Sequence, residues 1–462
     1  MEKLRIIHTN DLHSHFENFP KVGRFIAQAQ KDTSFDQVLT FDAGDFMDRS
    51  HPLTEATDGQ VNIDFMNSFH YDAVTIGNNE GVCNPHKVLE HLFDRADFDV
   101  VLADVFNQDG SPIDWAKPYK IITTKKGTRI AVVGFTAAYP MTYNPNGWEV
   151  KSPLLLLGKI LEELAGHYDL LFLLTHVGIG QDRLLAKRFP QIDLIIGGHS
   201  HTLLPGGERY GRTWIVQTGK WGRYVGDVTV EVDDDHKLVA ISPKTVEMKE
   251  RPEMPGDEEL IADWWNHGYQ LLERDKVAWL PDKFDDDTIA AVQVSLDAMA
   301  NFAKTDLAFL NSGLFLAPFK KGLITRADLH KSLPHPMHVA RARLQGSDLW
   351  RLVLEVEKNR HFLHKFPLRE MSFRGKIFGD IYYKGLKYSK HDRQVYVDGH
   401  KIDRDKEYTI AVLDHHILVP FFPTLAIAGN NTILAPKFLR EVVGDYLTKK
   451  YPLPQKEADP RG

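Results

Sequence analysis

Five short apolar runs in the first half of the chain each end in a knot of Asp, Asn or His, and no other feature restricts the fold as tightly. Ile6-Ile7-His8-Thr9-Asn10-Asp11-Leu12-His13 is the first, and Leu39-Thr40-Phe41-Asp42-Ala43-Gly44-Asp45 the second. Val74-Thr75-Ile76-Gly77-Asn78-Asn79-Glu80, Phe172-Leu173-Leu174-Thr175-His176 and Ile195-Ile196-Gly197-Gly198-His199-Ser200-His201 complete the set. The runs at 4–9, 38–41, 73–76, 100–103, 130–135, 170–174 and 194–196 lack polar alternation, which suits strands buried on both faces. Helical periodicity at 22–29 and 61–69 lies between them. The alternation through residues 1–240 therefore predicts an α/β arrangement in which helices cover sheets. In open α/β sheets ligands gather beyond the carboxyl ends of strands, so the five knots are expected to converge on one crevice.

Carboxylate, amide and imidazole groups are oxygen and nitrogen ligands, suited to manganese, zinc, iron or cobalt. Residues two apart in extended backbone point to one side, so Asp11 and His13 are expected to reach one ion together, as are His199 and His201. Glycines at 44, 77, 197 and 198 are expected to let the backbone turn sharply beside a metal or anion. A lone Asp-Xaa-His is more often a solvated turn, and a lone strand-end His a structural residue. The ordered set is what points to a metal centre. Other chemistries fail on particular residues. Arg183 occupies the third glycine position of a dinucleotide fingerprint starting at Gly178. Thr202 stands where a nucleophile elbow needs glycine.

Composition bounds the rest. A hydrophobic share of 43% with 26% charged residues is that of a globular enzyme, and a net charge of −7 argues against a nucleic-acid partner. The single cysteine, Cys83, excludes an internal disulfide or a thiolate metal cage. No stretch approaches the roughly 18 apolar residues of a membrane span. No apolar signal segment follows Met1, so no membrane partner and a cytoplasmic location are expected. Residues 242–259, rich in charge and holding Pro243, Pro252 and Pro255, read as a boundary. The expected plan is a catalytic domain at 1–242, a linker and helix at 243–277 and a second α/β domain at 278–455, with a tail at 456–462.

The motifs Asp11-Xaa-His13, Gly44-Asp45, Gly77-Asn78, Thr175-His176 and Gly198-His199-Xaa-His201 resemble, in order and spacing, those of the 5′-nucleotidase branch of the calcineurin-like metallophosphoesterases. The resemblance implies a four-layer α/β/β/α catalytic domain joined by a linker helix to a smaller α/β domain that holds the substrate. It implies two divalent ions with Asp45 bridging them. Asp11, His13 and His201 would complete one site, and Asn78, His176 and His199 the other. Two such ions against two carboxylates and a shared hydroxide leave a small positive excess, which attracts a phosphate anion. The implied activity is metal-dependent hydrolysis of nucleotides or related small phosphorylated metabolites. Cleavage of cyclic nucleotides or nucleoside-diphosphate conjugates, or a binding or sensor role with little turnover, are the alternatives.

The chain departs from the family at named positions. Its catalytic motif reads Gly-Asn-His-Glu in relatives, often with an Asp two residues beyond; here Asn79 and Val82 stand in those places. The family His assists the leaving oxygen, whereas an amide at the same catalytic position donates a hydrogen bond but gives up no proton. Arg274, at the end of the linker, aligns with a phosphate-contacting arginine, and in the second domain His335 and His415 align with two base-stacking phenylalanines. For both histidines the competing reading is solvated surface.

Overall fold

The computed structural model describes residues 1–284, 288–368 and 377–455, so the tail expected at 456–462 lies outside the described residues. The chain divides into two compact units, Met1–Gly268 and Tyr269–Gly462.

Two six-stranded sheets build the first unit. In one, Glu2–Thr9, Gln37–Asp42, Ala73–Val74 and Asp99–Val100 are parallel, and the antiparallel strands Tyr224–Val232 and Leu238–Glu247 extend the Glu2–Thr9 side. In the other, Arg129–Phe135, Leu170–Thr175, Leu194–Gly197 and Thr213–Val216 are parallel, with Tyr119–Thr123 and Glu208–Tyr210 as antiparallel edges.

Strand alternation explains why these runs carry no polar face. Ile130, Val132, Leu170, Phe172, Leu174 and Ile196 join Leu4, Ile6, Leu39 and Phe41 in a core between the sheets. Their neighbours Ala131, Val133, Leu171, Leu173 and Ile195 point the other way. They meet Leu157, Ile160, Leu161 and Leu185 of helices Pro153–Glu163 and Ile179–Arg188. Both faces are dry, and each such Leu, Ile, Val or Phe contributes about 1.5–3 kcal/mol relative to exposure. Helix Phe19–Gln30 places Phe19, Val22, Ile26 and Ala29 on one buried stripe against the first sheet. The layers are α/β/β/α, as the resemblance implies.

The first residues of the stretch at 242–259 belong to a strand and not to a loop. Leu238–Glu247 runs through Ser242, and Pro243 sits opposite Val228 on an edge strand, where sheets tolerate proline. The linker helix with Trp264 and Trp265 spans Asp257–Leu272 and crosses the border between the units.

The second unit is also α/β. Its five-stranded sheet runs in the order Ile381–Lys384, Leu307–Asn311, Glu407–Leu413, His338–Gln345, Asn430–Phe438. Ala308, Leu310, Ala411 and Leu413 face helices Thr288–Ala303 and Leu439–Lys450. Leu307, Phe309, Ile410 and Val412 face helix Gly346–His364. Among the described residues no helix is long and apolar enough to cross a membrane.

Candidate metal centre

Loops at the carboxyl ends of strands from both sheets of the first unit meet in one place. The loop after Glu2–Thr9 is laced to the loop after Gln37–Asp42: Asp11 N–H donates to Gly44 O at 2.9 Å and His13 N–H to Asp45 O at 2.8 Å. Neither Asp11 nor His13 is extended, contrary to the sequence expectation; their φ angles are +53° and +50°. They converge because the loops are tied together, not because of the strand pleat. Asp45, His199 and His201 also have positive φ, at +52°, +73° and +53°. Asp and His tolerate this region better than most residues, yet it persists only where the surroundings over-determine it, as at functional sites.

Three of the four glycines serve close approach instead of a turn. Gly44 does have positive φ, +89°, but a Cβ on Gly77 would lie 2.0 Å from Asp45 Oδ1, on Gly197 2.3 Å from Asp182 Oδ2, and on Gly198 2.8 Å from His176 Nδ1. Gly77→Ala is therefore expected to displace the Asp45 carboxylate and lower metal affinity by more than the ~10–100-fold typical of losing an outer partner. Secondary structure is expected to be unchanged. Metal content after dialysis, read beside circular dichroism, checks this; wild-type content would show that the carboxylate has room to shift.

The side chains of the seven candidate ligands meet. His13 Nε2 lies 3.6 Å from Asp11 Oδ1, 3.7 Å from Asp45 Oδ2 and 3.1 Å from His201 Nε2. His201 Nε2 is 3.4 Å from Asp11 Oδ1. His176 Nε2 is 3.2 Å from Asp45 Oδ2 and 3.8 Å from Asp11 Oδ1. Ligand atoms of Asp11, His13 and His201, and of Asp11, Asp45 and His176, form two groups whose members lie within 4.8 Å of one another. His199 Nδ1 is 2.8 Å from Asn78 Oδ1, and its ring centroid is 5.3 Å from that of His176.

Hydrogen-bond accounting at His176 shows that the set fits a cation. Its Nδ1 lies 2.8 Å from the Ala43 carbonyl, which only accepts, so Nδ1 carries the proton. A neutral ring would therefore turn its Nε2 lone pair, buried and without a hydrogen-bond partner, toward two carboxylates at 3.2 and 3.8 Å. A proton on Nε2 or a metal ion among these groups relieves that repulsion, so the set is built to hold positive charge. The same field acts on protons. Burial alone would raise the Asp11 carboxyl, but His176, His13 and His201 hold it well below the usual carboxylate range. Burial would lower His176, yet Asp45 and Asp11 push it up to about 10. His199, held down to about 4 by burial and then by His176, is neutral.

Residues without any ligand signature hold the centre in shape. Glu80 accepts from the N–H groups of Asp45, Met47 and Gly77 at 3.0, 2.9 and 2.8 Å. Asp48 Oδ2 lies 3.6 Å from His13 Nδ1, and Asp182 accepts from Thr175 and Gln217 behind Gly197. Tyr139, in the loop after Arg129–Phe135, places its hydroxyl 2.6 Å from His199 Nε2. Only its position beyond a sixth strand end could have singled it out. Asn79 is turned onto the ligands: its N–H donates to Asp45 Oδ1 at 2.7 Å, and its amide Nδ2 donates to Met47 O at 3.1 Å and lies 2.8 Å from His13 Nδ1.

Arg274, His335 and His415 belong to the second unit. Arg274 is exposed. The histidines are not solvated surface; they are 2% and 3% exposed, and the His415 ring lies 4.1 Å from His416 and 6.2 Å from Phe378. His415 follows directly on the buried end of strand Glu407–Leu413, which a surface reading of its sequence overlooks.

The chain matches the calcineurin-like phosphoesterase family over residues 4–203 and the 5′-nucleotidase C-terminal domain over residues 283–418. An uncharacterized metallophosphoesterase of Bacillus subtilis, YunD, is 34% identical over 458 residues, which covers 96% of this chain and 98% of the relative. A 5′-nucleotidase of Vibrio cholerae is 27% identical over 75% of this chain and 74% of its own length. The structure of an NAD nucleotidase from Haemophilus influenzae shares the fold, with a TM-score of 0.66 at 17% identity over 97% of this chain and 96% of that one. With both matched regions in the same order, and a relative similar from end to end, the chain belongs to the calcineurin-like metallophosphoesterases that carry a 5′-nucleotidase C-terminal domain.

Proposed function

We propose that this chain is a two-metal hydrolase of nucleotides or closely related phosphorylated metabolites. Hydrolysis of phosphate esters is the chemistry of its family; the ion count and the substrate are our reading. The observation that carries it is the buried, unbonded Nε2 of His176 facing Asp11 and Asp45. Asp45 Oδ2 lies between His176 and His13, at 3.2 and 3.7 Å, which supports Asp45 as the shared ligand. Asp11, His13 and His201 would hold one ion, and Asn78, His176 and His199 the other. When bound, such a pair supplies an activated water and neutralises charge on the attacking and leaving oxygens during in-line displacement. The chain's own part is to fix the ligands: Glu80 pins the Asp45 and Gly77 loops through three backbone N–H groups, and Ala43 O fixes the His176 ring.

The nucleotide class rests on the matched C-terminal domain and on the printed activity of the Vibrio cholerae relative. Arg274, His335 and His415 are the proposed substrate contacts, the cytoplasm the proposed compartment, and manganese one of four candidate metals beside zinc, iron and cobalt. A second reading, cleavage of anhydrides or diesters, is favoured by Asn79, whose amide is engaged with Met47 O and His13. Phosphate release from nucleoside mono- and diphosphates, nucleotide conjugates and cyclic nucleotides (the last with a coupled phosphatase) tests both. We expect two ions per chain, silence after chelation and recovery with manganese or cobalt. Undiminished hydrolysis by protein stripped of metal would overturn the reading.

A further inference from the structure

We infer that Tyr139 is a positioning residue of the metal centre: its phenolic oxygen takes the Nε2–H of His199 and so fixes the tautomer that turns Nδ1 toward Asn78 Oδ1. The inference rests on the two-metal reading and adds to it a residue that carries no ligand atom in the proposed set.

The argument is proton accounting. His199 Nδ1 lies 2.8 Å from Asn78 Oδ1, and Nε2 lies 2.6 Å from the Tyr139 oxygen. A neutral imidazole has one N–H and one lone pair. Without a cation the Nδ1 proton bonds to Asn78 Oδ1, and Tyr139 donates to Nε2. When Nδ1 and Asn78 Oδ1 both serve as ligands, two lone pairs face the same point and the imidazole proton must sit on Nε2. That proton needs an acceptor. Among the described residues the Tyr139 oxygen is the hydrogen-bond partner of Nε2, and a hydroxyl serves either state by rotating its O–H. Phenylalanine, histidine or a carboxylate would serve one state or neither.

The backbone holds the hydroxyl in place. Tyr139 precedes the short helix Pro140–Tyr143, its carbonyl accepting from Thr142 N and Tyr143 N, both at 3.0 Å. Tyr143 is fully buried and its hydroxyl lies 3.3 Å from Thr136 Oγ1, which ties the loop to the end of strand Arg129–Phe135. Tyr139 itself is 42% exposed, so removing its hydroxyl opens no core. Outer partners of this kind orient a ligating imidazole, and losing one typically costs ~10–100-fold in metal affinity.

The test compares the full chain with Tyr139→Phe and with Met141→Ala, an exposed neighbour in the same helix. Manganese binding is followed by calorimetry, and the cobalt-loaded proteins by visible absorption. We expect wild type and Met141→Ala to bind two ions alike. Tyr139→Phe should keep one ion at wild-type affinity and bind the other ~10–100-fold more weakly, with an altered cobalt spectrum and unchanged melting in chelator. The manganese concentration for half activity should rise by the same factor, while kcat at saturating manganese recovers. Two ions bound by Tyr139→Phe as tightly as by wild type would overturn the inference and leave the two-metal reading standing. Equal weakening in Met141→Ala would assign the effect to the loop and also overturn it. A wild type that binds fewer than two ions would overturn the two-metal reading and this inference with it.

Discussion

Asp45→Asn is expected to abolish turnover while the protein stays folded. Asn preserves the volume and one acceptor oxygen, so the 2.7 Å bond from Asn79 N–H to Oδ1 is kept. What disappears is the charge. Asp11 and Asp45 are the two carboxylates of the proposed ligand set, each close to His176 Nε2, and Asp45 Oδ2 also lies 3.7 Å from His13 Nε2. Removing the shared anion weakens both sites and the activation of water between them. The loss in kcat/KM is expected to exceed the ~100-fold upper range for losing an outer partner. The apolar core between the sheets is formed by Leu4, Phe41, Phe172 and their neighbours and does not include Asp45, so melting in chelator is expected to match wild type. Metal per chain, phosphate release and calorimetric melting measured together decide the matter. Two ions per chain with wild-type turnover in Asp45→Asn would defeat the shared-ligand assignment.

The strands of the first unit were legible because both faces of each sheet are dry, which forces unbroken apolar runs such as Leu170-Leu171-Phe172-Leu173-Leu174. The ligand knots were legible because strand ends are where a sheet presents side chains to a crevice. What escaped the sequence was set by partners distant along the chain. The left-handed backbone of Asp11 and His13 comes from lacing to Gly44 and Asp45, and no local pattern encodes it. Gly77 looks like a turn glycine, but its constraint is the Asp45 carboxylate pressed against its Cα. Tyr139 lies in a loop without Asp or His, and its role depends on where His199 Nε2 arrives from another strand. Pro243 reads as a breaker until the strand around it proves to be an edge.

Anhydrides or activated esters are expected to be hydrolysed in preference to simple nucleoside monophosphates, because Asn79 cannot protonate a leaving oxygen. A nucleoside hydroxyl leaves poorly without help, and general acid assistance is typically worth ~10²–10⁴-fold, whereas a phosphate leaving from an anhydride needs little. The structure sharpens the case, since the Asn79 amide donates to Met47 O and lies against His13. His51, the candidate for a substitute acid, caps helix Pro52–Ala56. Its Nδ1 accepts from Leu53 N–H at 3.2 Å as a helix cap, and its ring packs 4.1 Å from Phe16 and 5.1 Å from Trp265. Asn79→His is expected to raise monoester activity more than anhydride activity. Val82, at the end of the Asn78–Gly81 helix, offers no carboxylate to orient a new imidazole, so the gain should be larger in Asn79→His with Val82→Asp. The measurement is kcat/KM for monophosphates and anhydrides in wild type, both single variants and the double variant. Efficient wild-type monophosphate turnover, unmoved by replacing His51, His335 and His415, would show that leaving-group assistance is not what the exchange of His for Asn79 removed.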